Sequence, residues 1–179
     1  MMTASLPPVV AAVALAAAAT GGAAQPRHEF AELHMGVPVR IVLYADGVTA
    51  RAAARAAFDR MAALEDVMSD YRPASELRRL EPRAGEWVEV SEPLFDVLAR
   101  AREIACQTDG AFDPTVAPVI ALWRAARRGG RLPDEAARDS ARALVDWRNL
   151  ELDAERRAVR LAQAGMRLDL GGIAKGYIL

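Results

Sequence analysis

The sequence predicts an α+β fold in which a mixed sheet packs against helices. The chain has 179 residues, 53% of them hydrophobic and 26% charged, and this composition is typical of one folded domain with a core. Segments with strand periodicity and segments with helix periodicity both occur along it. They do not follow the strict strand–helix alternation of a parallel α/β sheet, and this favours the α+β class.

The first half of the chain combines strands with one long helix. Alternating apolar residues over 30–44, interrupted at Met35-Gly36, predict two strands or one strand with a bulge. Apolar residues at helical spacing predict a helix over 48–68. Further along, Ser75 is expected to open a short helix, and residues 87–90 alternate as a strand.

The second half begins with a helix for which Ser91 is the expected N-cap. Glycine pairs and turn-forming residues divide the rest of this half into short elements. The predicted helices span 92–108, 116–128 and 133–145, and the predicted strands span 147–152, 158–162 and 166–170.

Bulk charge and cysteine content exclude several kinds of function. A formal net charge of -1 gives no electrostatic reason to expect nucleic acid or an anionic membrane as a partner. The single cysteine, Cys106, excludes an internal disulfide and a thiolate metal cage. Because Cys106 lies in an apolar helical stretch, we expect a buried and unreactive thiol.

Residues 1–24 have the character of a secretory signal peptide. An apolar run rich in alanine precedes small residues, and we expect cleavage after Ala24, which leaves 25–179 as the mature domain. The segment before the run has no Lys or Arg, so a disordered or wrongly assigned leader stays an alternative. A helix that spans a bilayer needs about 20 apolar residues, and this apolar run is shorter. Membrane association is therefore expected only through an uncleaved leader.

The end of the chain carries a motif suited to an anion. Asp169 ends a predicted strand, Gly171-Gly172 form a turn, and Lys175 lies at the start of a helix. Phosphate binding needs backbone donors, the close approach that glycine allows, and a cation. A tight turn with a solvated lysine explains the same residues without a ligand, because the spacing fits neither of the common nucleotide fingerprints.

Two other places are candidates for function. The loop from Asp109 to Thr115 concentrates acids, a glycine and an aromatic ring before an apolar helix, and such loops often bind ligands. Asp113 can equally cap that helix, with Pro114 in its first turn. Met35 and Tyr71 each have an ordinary structural explanation as core packing and as a surface ring.

Taken in order, these motifs resemble the FAD:protein FMN transferase family, the ApbE-like flavin transferases. The resemblance covers nearly the whole predicted mature chain. The motifs are Met35-Gly36; Tyr71-x3-Ser75-Glu76-Leu77; Asp109-Gly110-Ala111-Phe112-Asp113-Pro114-Thr115-Val116-x-Pro118-x3-Leu122-Trp123; and Asp169-Leu170-Gly171-Gly172-Ile173-Ala174-Lys175-Gly176-Tyr177.

The resemblance implies an enzyme that uses FAD and Mg²⁺. Family members move FMN from FAD to a threonine hydroxyl of an acceptor protein and release AMP. The acceptors belong to membrane electron-transfer complexes, and the enzymes work outside the cytoplasmic membrane, so we expect a periplasmic or extracytoplasmic location.

The resemblance also assigns residues, although it identifies no catalytic residue in this chain. By position, seven residues would contact FAD and the backbone carbonyl of Gly172 would bind the metal. The implied FAD contacts are Met35, Tyr71, Ala111, Phe112, Asp113, Asp169 and Lys175. Methionine and tyrosine offer apolar and aromatic surface to a flat ring, while a lysine can neutralise pyrophosphate charge.

Two departures from the family pattern affect these expectations. Val37 replaces the threonine that usually follows Met-Gly, and the later segment that supplies further metal ligands has no counterpart here. One carbonyl does not make an octahedral Mg²⁺ site. We therefore expect an incomplete ApbE-like domain that is inactive alone. The alternative is a secreted flavin-binding module without transferase activity.

Overall fold

The computed structural model describes residues 24–179. The predicted signal peptide falls almost entirely outside this range, so the leader and its cleavage after Ala24 stay predictions. Among the described residues, no helix combines the length and the apolar character that crossing a membrane requires.

The chain folds into five strands, six α-helices and two short 3₁₀ helices, Glu81–Arg83 and Trp147–Asn149, over the described range. The strands are β1 (Arg27–His34), β2 (Val37–Tyr44), β3 (Val88–Glu89), β4 (Leu150–Asp153) and β5 (Ala158–Leu161). The helices are α1 (Gly47–Met68), α2 (Glu76–Leu80), α3 (Glu92–Gln107), α4 (Ala117–Gly129), α5 (Glu135–Arg142) and α6 (Ala174–Ile178).

The α+β class is confirmed, and the strands form two small antiparallel sheets rather than one mixed sheet within residues 24–179. β1 and β2 form a hairpin in register from Arg27–Tyr44 to His34–Val37. The other sheet has the order β3-β5-β4. The tight turn pairs β1 and β2 with each other over their full length, and the hairpin packs on α1 through its side chains.

Side chains at the helix starts fix several boundaries. The Asp46 carboxylate accepts hydrogen bonds from the backbone N–H groups of Val48 and Thr49, so α1 begins at Gly47. Ser75 and Ser91 accept equivalent bonds at α2 and α3, as the sequence predicts. These caps satisfy donors that the first helical turn leaves without partners.

The main core lies between α1, α3, the three-stranded sheet and the last segment of the chain. Its fully buried side chains include Leu94, Leu98, Leu150 and Leu168. A smaller cluster packs the hairpin on α1, where His34 stacks on Phe58 with ring centroids 5.5 Å apart. Both clusters contact the turn at Met35, so the hairpin turn is fastened to the edge of the main core.

Two predictions from the sequence are wrong, the strand over 166–170 and the burial of Cys106. Residues 166–170 make one isolated bridge, between Val116 and Arg167, and do not form a strand. Cys106 is exposed. The face of α3 that meets the core carries Leu94, Val97, Leu98, Ala101 and Ala105. Cys106 follows the last of these, and one helical residue turns the side chain about 100° away from that face.

Candidate ligand-binding site

A cavity of about 500 Å³ opens where the hairpin turn, the loop after α1, helix α4 and the end of the chain meet. Its walls bring together residues that lie far apart in the sequence, and its volume is in the usual range for small-molecule sites. Four of the predicted FAD contacts line it, namely Met35, Tyr71, Asp169 and Lys175.

Met35 reaches the cavity from a strained hairpin turn. Met35 and Gly36 both have positive φ, 51° and 72°, the signs that a two-residue type I′ turn requires. Glycine adopts this conformation freely, whereas in methionine the Cβ atom makes it costly. A non-glycine residue held in this region at a cavity wall is typical of a functional position.

Tyr71 lies in the loop that follows α1. The backbone N–H groups of Tyr71 and Arg72 both donate to the Ser69 hydroxyl oxygen at 3.2 Å, and this fixes the loop backbone. Tyr71 is 74% exposed. The Arg124 guanidinium lies over its ring, with the guanidinium carbon 4.4 Å from the ring centroid. An aromatic surface therefore faces the cavity.

Asp169 is held by backbone contacts on both sides. Its N–H donates to the Pro114 carbonyl at 2.9 Å, and its carboxylate accepts from the Gly171 N–H at 2.8 Å. The second carboxylate oxygen accepts from Arg124 at 3.1 Å. Gly171 has little space for a side chain, because a Cβ there would lie 2.9 Å from the carboxylate oxygen that its own N–H contacts.

Lys175 lies in the first turn of α6 and is exposed. It is the single lysine of the chain. The cavity wall also carries two arginines: Arg72, which pairs with Glu65 and Asp66, and Arg124, which pairs with Asp70 and Asp169. Among residues 24–179 Lys175 makes no ion pair, so its charge is available to an anion in the cavity.

The loop over residues 111–113 lies behind this wall. Phe112 packs on the main core and against Gly172, where a Cβ would approach the phenyl ring to 3.1 Å. Asp113 is engaged on both oxygens: one accepts from the Thr115 N–H and hydroxyl at 2.8 and 2.6 Å, the other from the Trp147 N–H at 3.0 Å. Ala111, Phe112, Asp113 and Gly172 are not among the residues that line the cavity, and their implied roles toward FAD and metal stay predictions.

The acidic side chains of the site differ in their environment. Burial raises the pKa of Asp169, and nearby Asp70 acts in the same direction, whereas the Gly171 N–H and Arg124 favour the ionised form. The described residues contain no group of three or more His, Cys, Asp or Glu placed to hold a metal ion. The side chains present over 24–179 therefore do not fit a complete Mg²⁺ site.

Sequence reasoning missed Asp70 and Arg124. The Arg124 guanidinium donates to Asp70 at 2.7 Å and to Asp169 at 3.1 Å, so it links the loop after α1 to the end of the chain. Both residues adjoin the sequence motifs described above, since Asp70 precedes Tyr71 and Arg124 follows Trp123. Arg124 is also the first charged residue in α4, and a charge that interrupts an apolar helical run is a signal for a buried partner.

Comparison with known sequences places these residues in one family. The model of the ApbE family matches residues 35–179. The chain is 33% identical to the FAD:protein FMN transferase of Klebsiella pneumoniae over 152 residues, which cover 84% of this chain and 47% of that protein. It is 35% identical to the FAD:protein FMN transferase of Treponema pallidum over 167 residues, 88% of this chain and 46% of that protein.

Solved structures show the same similarity. The ApbE protein of Thermotoga maritima matches with a TM-score of 0.78 and 31% identity, over 86% of this chain and 50% of that one. The apo form of the flavinyl transferase ApbE of Pseudomonas stutzeri matches with a TM-score of 0.74 and 26% identity, over 87% and 50% of the two chains. The chain spans about half the length of the curated relatives it matches.

Proposed function

The chain belongs to the ApbE family, and on that premise we propose that it carries the FAD-binding cavity of a Mg²⁺-dependent FAD:protein FMN transferase. The proposed reaction moves FMN from FAD to a threonine hydroxyl of an acceptor protein and releases AMP. The names of the relatives in Klebsiella pneumoniae and Treponema pallidum support the transferase class.

The cavity is the observation that supports this proposal most directly. Met35, Tyr71, Asp169 and Lys175 come from separate parts of the chain and line one space of about 500 Å³. Its wall combines a thioether, an aromatic ring and a lysine without an ion pair among the described residues. This set fits a ligand that has a flat ring at one end and a charged pyrophosphate further along.

The chain's own residues have separate parts to play in the transfer. Met35 and Tyr71 would hold the flavin ring, and Lys175 would offset negative charge on the phosphates. In the proposed step the threonine oxygen bonds to the FMN phosphorus, the bond between phosphorus and the bridging oxygen breaks, and AMP leaves. The threonine proton passes to a base, and we assign that role to none of residues 24–179.

The metal is part of the proposal because the family resemblance implies it. Mg²⁺ takes oxygen ligands, and only the Gly172 carbonyl is assigned to it in this chain. Since the described residues contain no group of side chains placed to hold a metal, we assign it no side chain and no step.

The place of action and the partner are likewise proposed. We propose a periplasmic or extracytoplasmic protein, supported by the sequence character of residues 1–24. The partner would be an acceptor subunit of a membrane electron-transfer complex. The net charge of -1 gives no reason to add nucleic acid to the partners.

A footprint on the single lysine tests the proposed FAD site. Acetylation of the folded 179-residue chain with an N-hydroxysuccinimide ester modifies Lys175 and the α-amino group, and peptide mass spectrometry separates the two. FAD is expected to slow modification of Lys175 and leave the α-amino group unchanged. Equal rates at Lys175 with and without saturating FAD would contradict the assignment.

Transfer itself is tested by in-gel flavin fluorescence of an acceptor domain incubated with FAD and Mg²⁺. Residues 35–179 are placed in the Klebsiella relative instead of its matching half, so that the remaining half comes from that protein. A fluorescent acceptor band that Lys175→Gln abolishes supports the proposal. Absence of a band from a chimera that melts cooperatively would contradict it.

A flavin-binding module without transferase activity is the second candidate. The absence of a metal-binding cluster among residues 24–179 favours it. It predicts tight FAD binding that does not change when Mg²⁺ is removed, and no AMP release. Titration of the chain with FAD, with and without EDTA, distinguishes the two functions.

A further inference from the structure

Arg124 occupies the junction between the aromatic and the acidic parts of the cavity wall. Its guanidinium donates to the Asp70 carboxylate at 2.7 Å and to the Asp169 carboxylate at 3.1 Å. The same group lies over the Tyr71 ring at 4.4 Å. One side chain from α4 therefore holds the loop after α1 and the end of the chain in a fixed relation.

The guanidinium has little freedom to leave this position. The Asp70 and Asp169 side chains are only 12% and 8% exposed, and carboxylates so far from water need their cation. A planar guanidinium can donate to two carboxylates through its edge while its face stacks on a ring, whereas a compact ammonium group has no planar face to stack. Arg124 is therefore a fixed support for Tyr71 rather than a cover that moves aside.

The charge balance around Arg124 argues against a direct role in binding phosphate. With both carboxyls ionised, one positive and two negative charges give this group of three a net charge of -1. An added anion would be repelled by the pair of carboxylates. On the cavity wall, Lys175 is the Lys or Arg residue that makes no ion pair with another residue among 24–179, so the two cations have different tasks.

We propose that Arg124 is a positioning residue that holds Tyr71 as the platform for the flat ring of the flavin, an inference that rests on the proposed function. The guanidinium covers one face of the Tyr71 ring, yet Tyr71 is 74% exposed and lines the cavity, so ring surface is left for a ligand. A flat ring on that face would complete a stack of guanidinium, tyrosine and flavin. Arg124 thus acts on the ring, and Lys175 acts on the phosphates.

Three probes separate these two tasks on the whole 179-residue chain. Riboflavin has the ring without phosphate, ADP has the pyrophosphate without the flavin, and FAD has both. The variants are Arg124→Lys, Lys175→Gln and the control Arg128→Gln, an exposed arginine one helical turn further along α4. Arg124→Lys keeps a positive charge for Asp70 and Asp169, so it is expected to fold. Thermal melting checks this for each variant.

Opposite patterns of affinity are expected for the two cations. Arg124→Lys should weaken riboflavin and FAD by about threefold to tenfold, the size of a cation–π contribution in a partly desolvated site. It should change ADP by less than about twofold and reduce the induced visible circular dichroism of bound riboflavin. Lys175→Gln should weaken ADP and FAD and leave riboflavin unchanged. Arg128→Gln should match the wild type for all three probes.

A double-mutant cycle with Tyr71→Leu separates positioning from general stability. If Arg124 acts through the ring, Arg124→Lys has no further effect on riboflavin once Tyr71→Leu has removed the platform. Additive losses in the double variant would overturn the inference, as would a folded Arg124→Lys chain with unchanged riboflavin affinity. A parallel loss of ADP affinity would also overturn it. A wild-type chain that binds neither FAD nor riboflavin would contradict the proposed function itself.

Discussion

Replacing Asp113 by asparagine tests how the loop before α4 is held in place. Both oxygens of the Asp113 carboxylate accept hydrogen bonds, and asparagine keeps only one acceptor oxygen. One oxygen accepts two hydrogen bonds from Thr115 and the other accepts the Trp147 N–H. In Asp113→Asn one of these oxygens becomes an amide NH₂ group, which donates and does not accept. If the amide keeps its oxygen toward Thr115, the Trp147 N–H faces a second donor.

The structure also gives the size of this effect. A hydrogen bond to a charged group contributes about 1.5–3 kcal/mol, and a buried donor left without an acceptor costs about 1–3 kcal/mol. Because Asp113 is only partly buried, water recovers some of this loss. We therefore expect Asp113→Asn to lower the free energy of unfolding by about 3 kcal/mol. For a domain of this size the melting temperature should fall by about 6–12 °C.

Asp109→Asn is the matched control from the same loop. The Asp109 side chain is 96% exposed, and its recorded ion pair joins it to Arg148 at 3.6 Å. Asparagine tolerates the positive φ of 48° at this position. The control should change the free energy of unfolding by less than about 0.5 kcal/mol. Urea denaturation followed by tryptophan fluorescence measures both variants, and equal stability of the two would refute the proposed role of Asp113 in holding the loop.

Two further predictions concern pH and thiol chemistry. Burial raises the pKa of Asp169, so the native state binds this proton more tightly than the unfolded chain does. The free energy of unfolding of the wild type, relative to Asp169→Asn, should therefore fall as pH rises from the ordinary carboxyl pKa through the raised one. Urea denaturation across that range measures the difference, and a rise would contradict this sign. Because Cys106 is exposed, Ellman's reagent should titrate one thiol on the folded chain, whereas protection until denaturation would contradict the exposure.

Local patterns determined most of the elements correctly. The cap signals at Ser75 and Ser91 and the helical spacing over 48–68 depend on neighbouring residues, so the sequence alone predicts them. Predictions failed where an element depends on distant partners. Residues 166–170 have a strand pattern, but the segment beside them contains Pro114. Its carbonyl accepts from the Asp169 N–H, but proline has no N–H to donate to a strand ladder.

The same distinction between local pattern and distant contact applies to the candidate site. The order of the motifs along the chain identified the family, and position within those motifs singled out Met35, Tyr71, Asp169 and Lys175, which the structure brings together on the cavity wall. The sequence did not reveal that Asp113 uses both oxygens to hold Trp147 and Thr115. The hydrogen bond from the Trp147 N–H to Asp113 joins residues 34 positions apart, and no local spacing predicts it.

The sequence by itself determined the α+β class, the starts of α2 and α3 and the family, since each depends on residue types at short or ordered spacings. Only the tertiary structure decided which cation on the cavity wall is left without an ion pair among the described residues. Both Lys175 and Arg124 line the cavity, but folding places two carboxylates against Arg124 and none of the described acids against Lys175. Charge compensation acts over a few ångströms in space, so it follows the packing of α4 rather than the order of the chain.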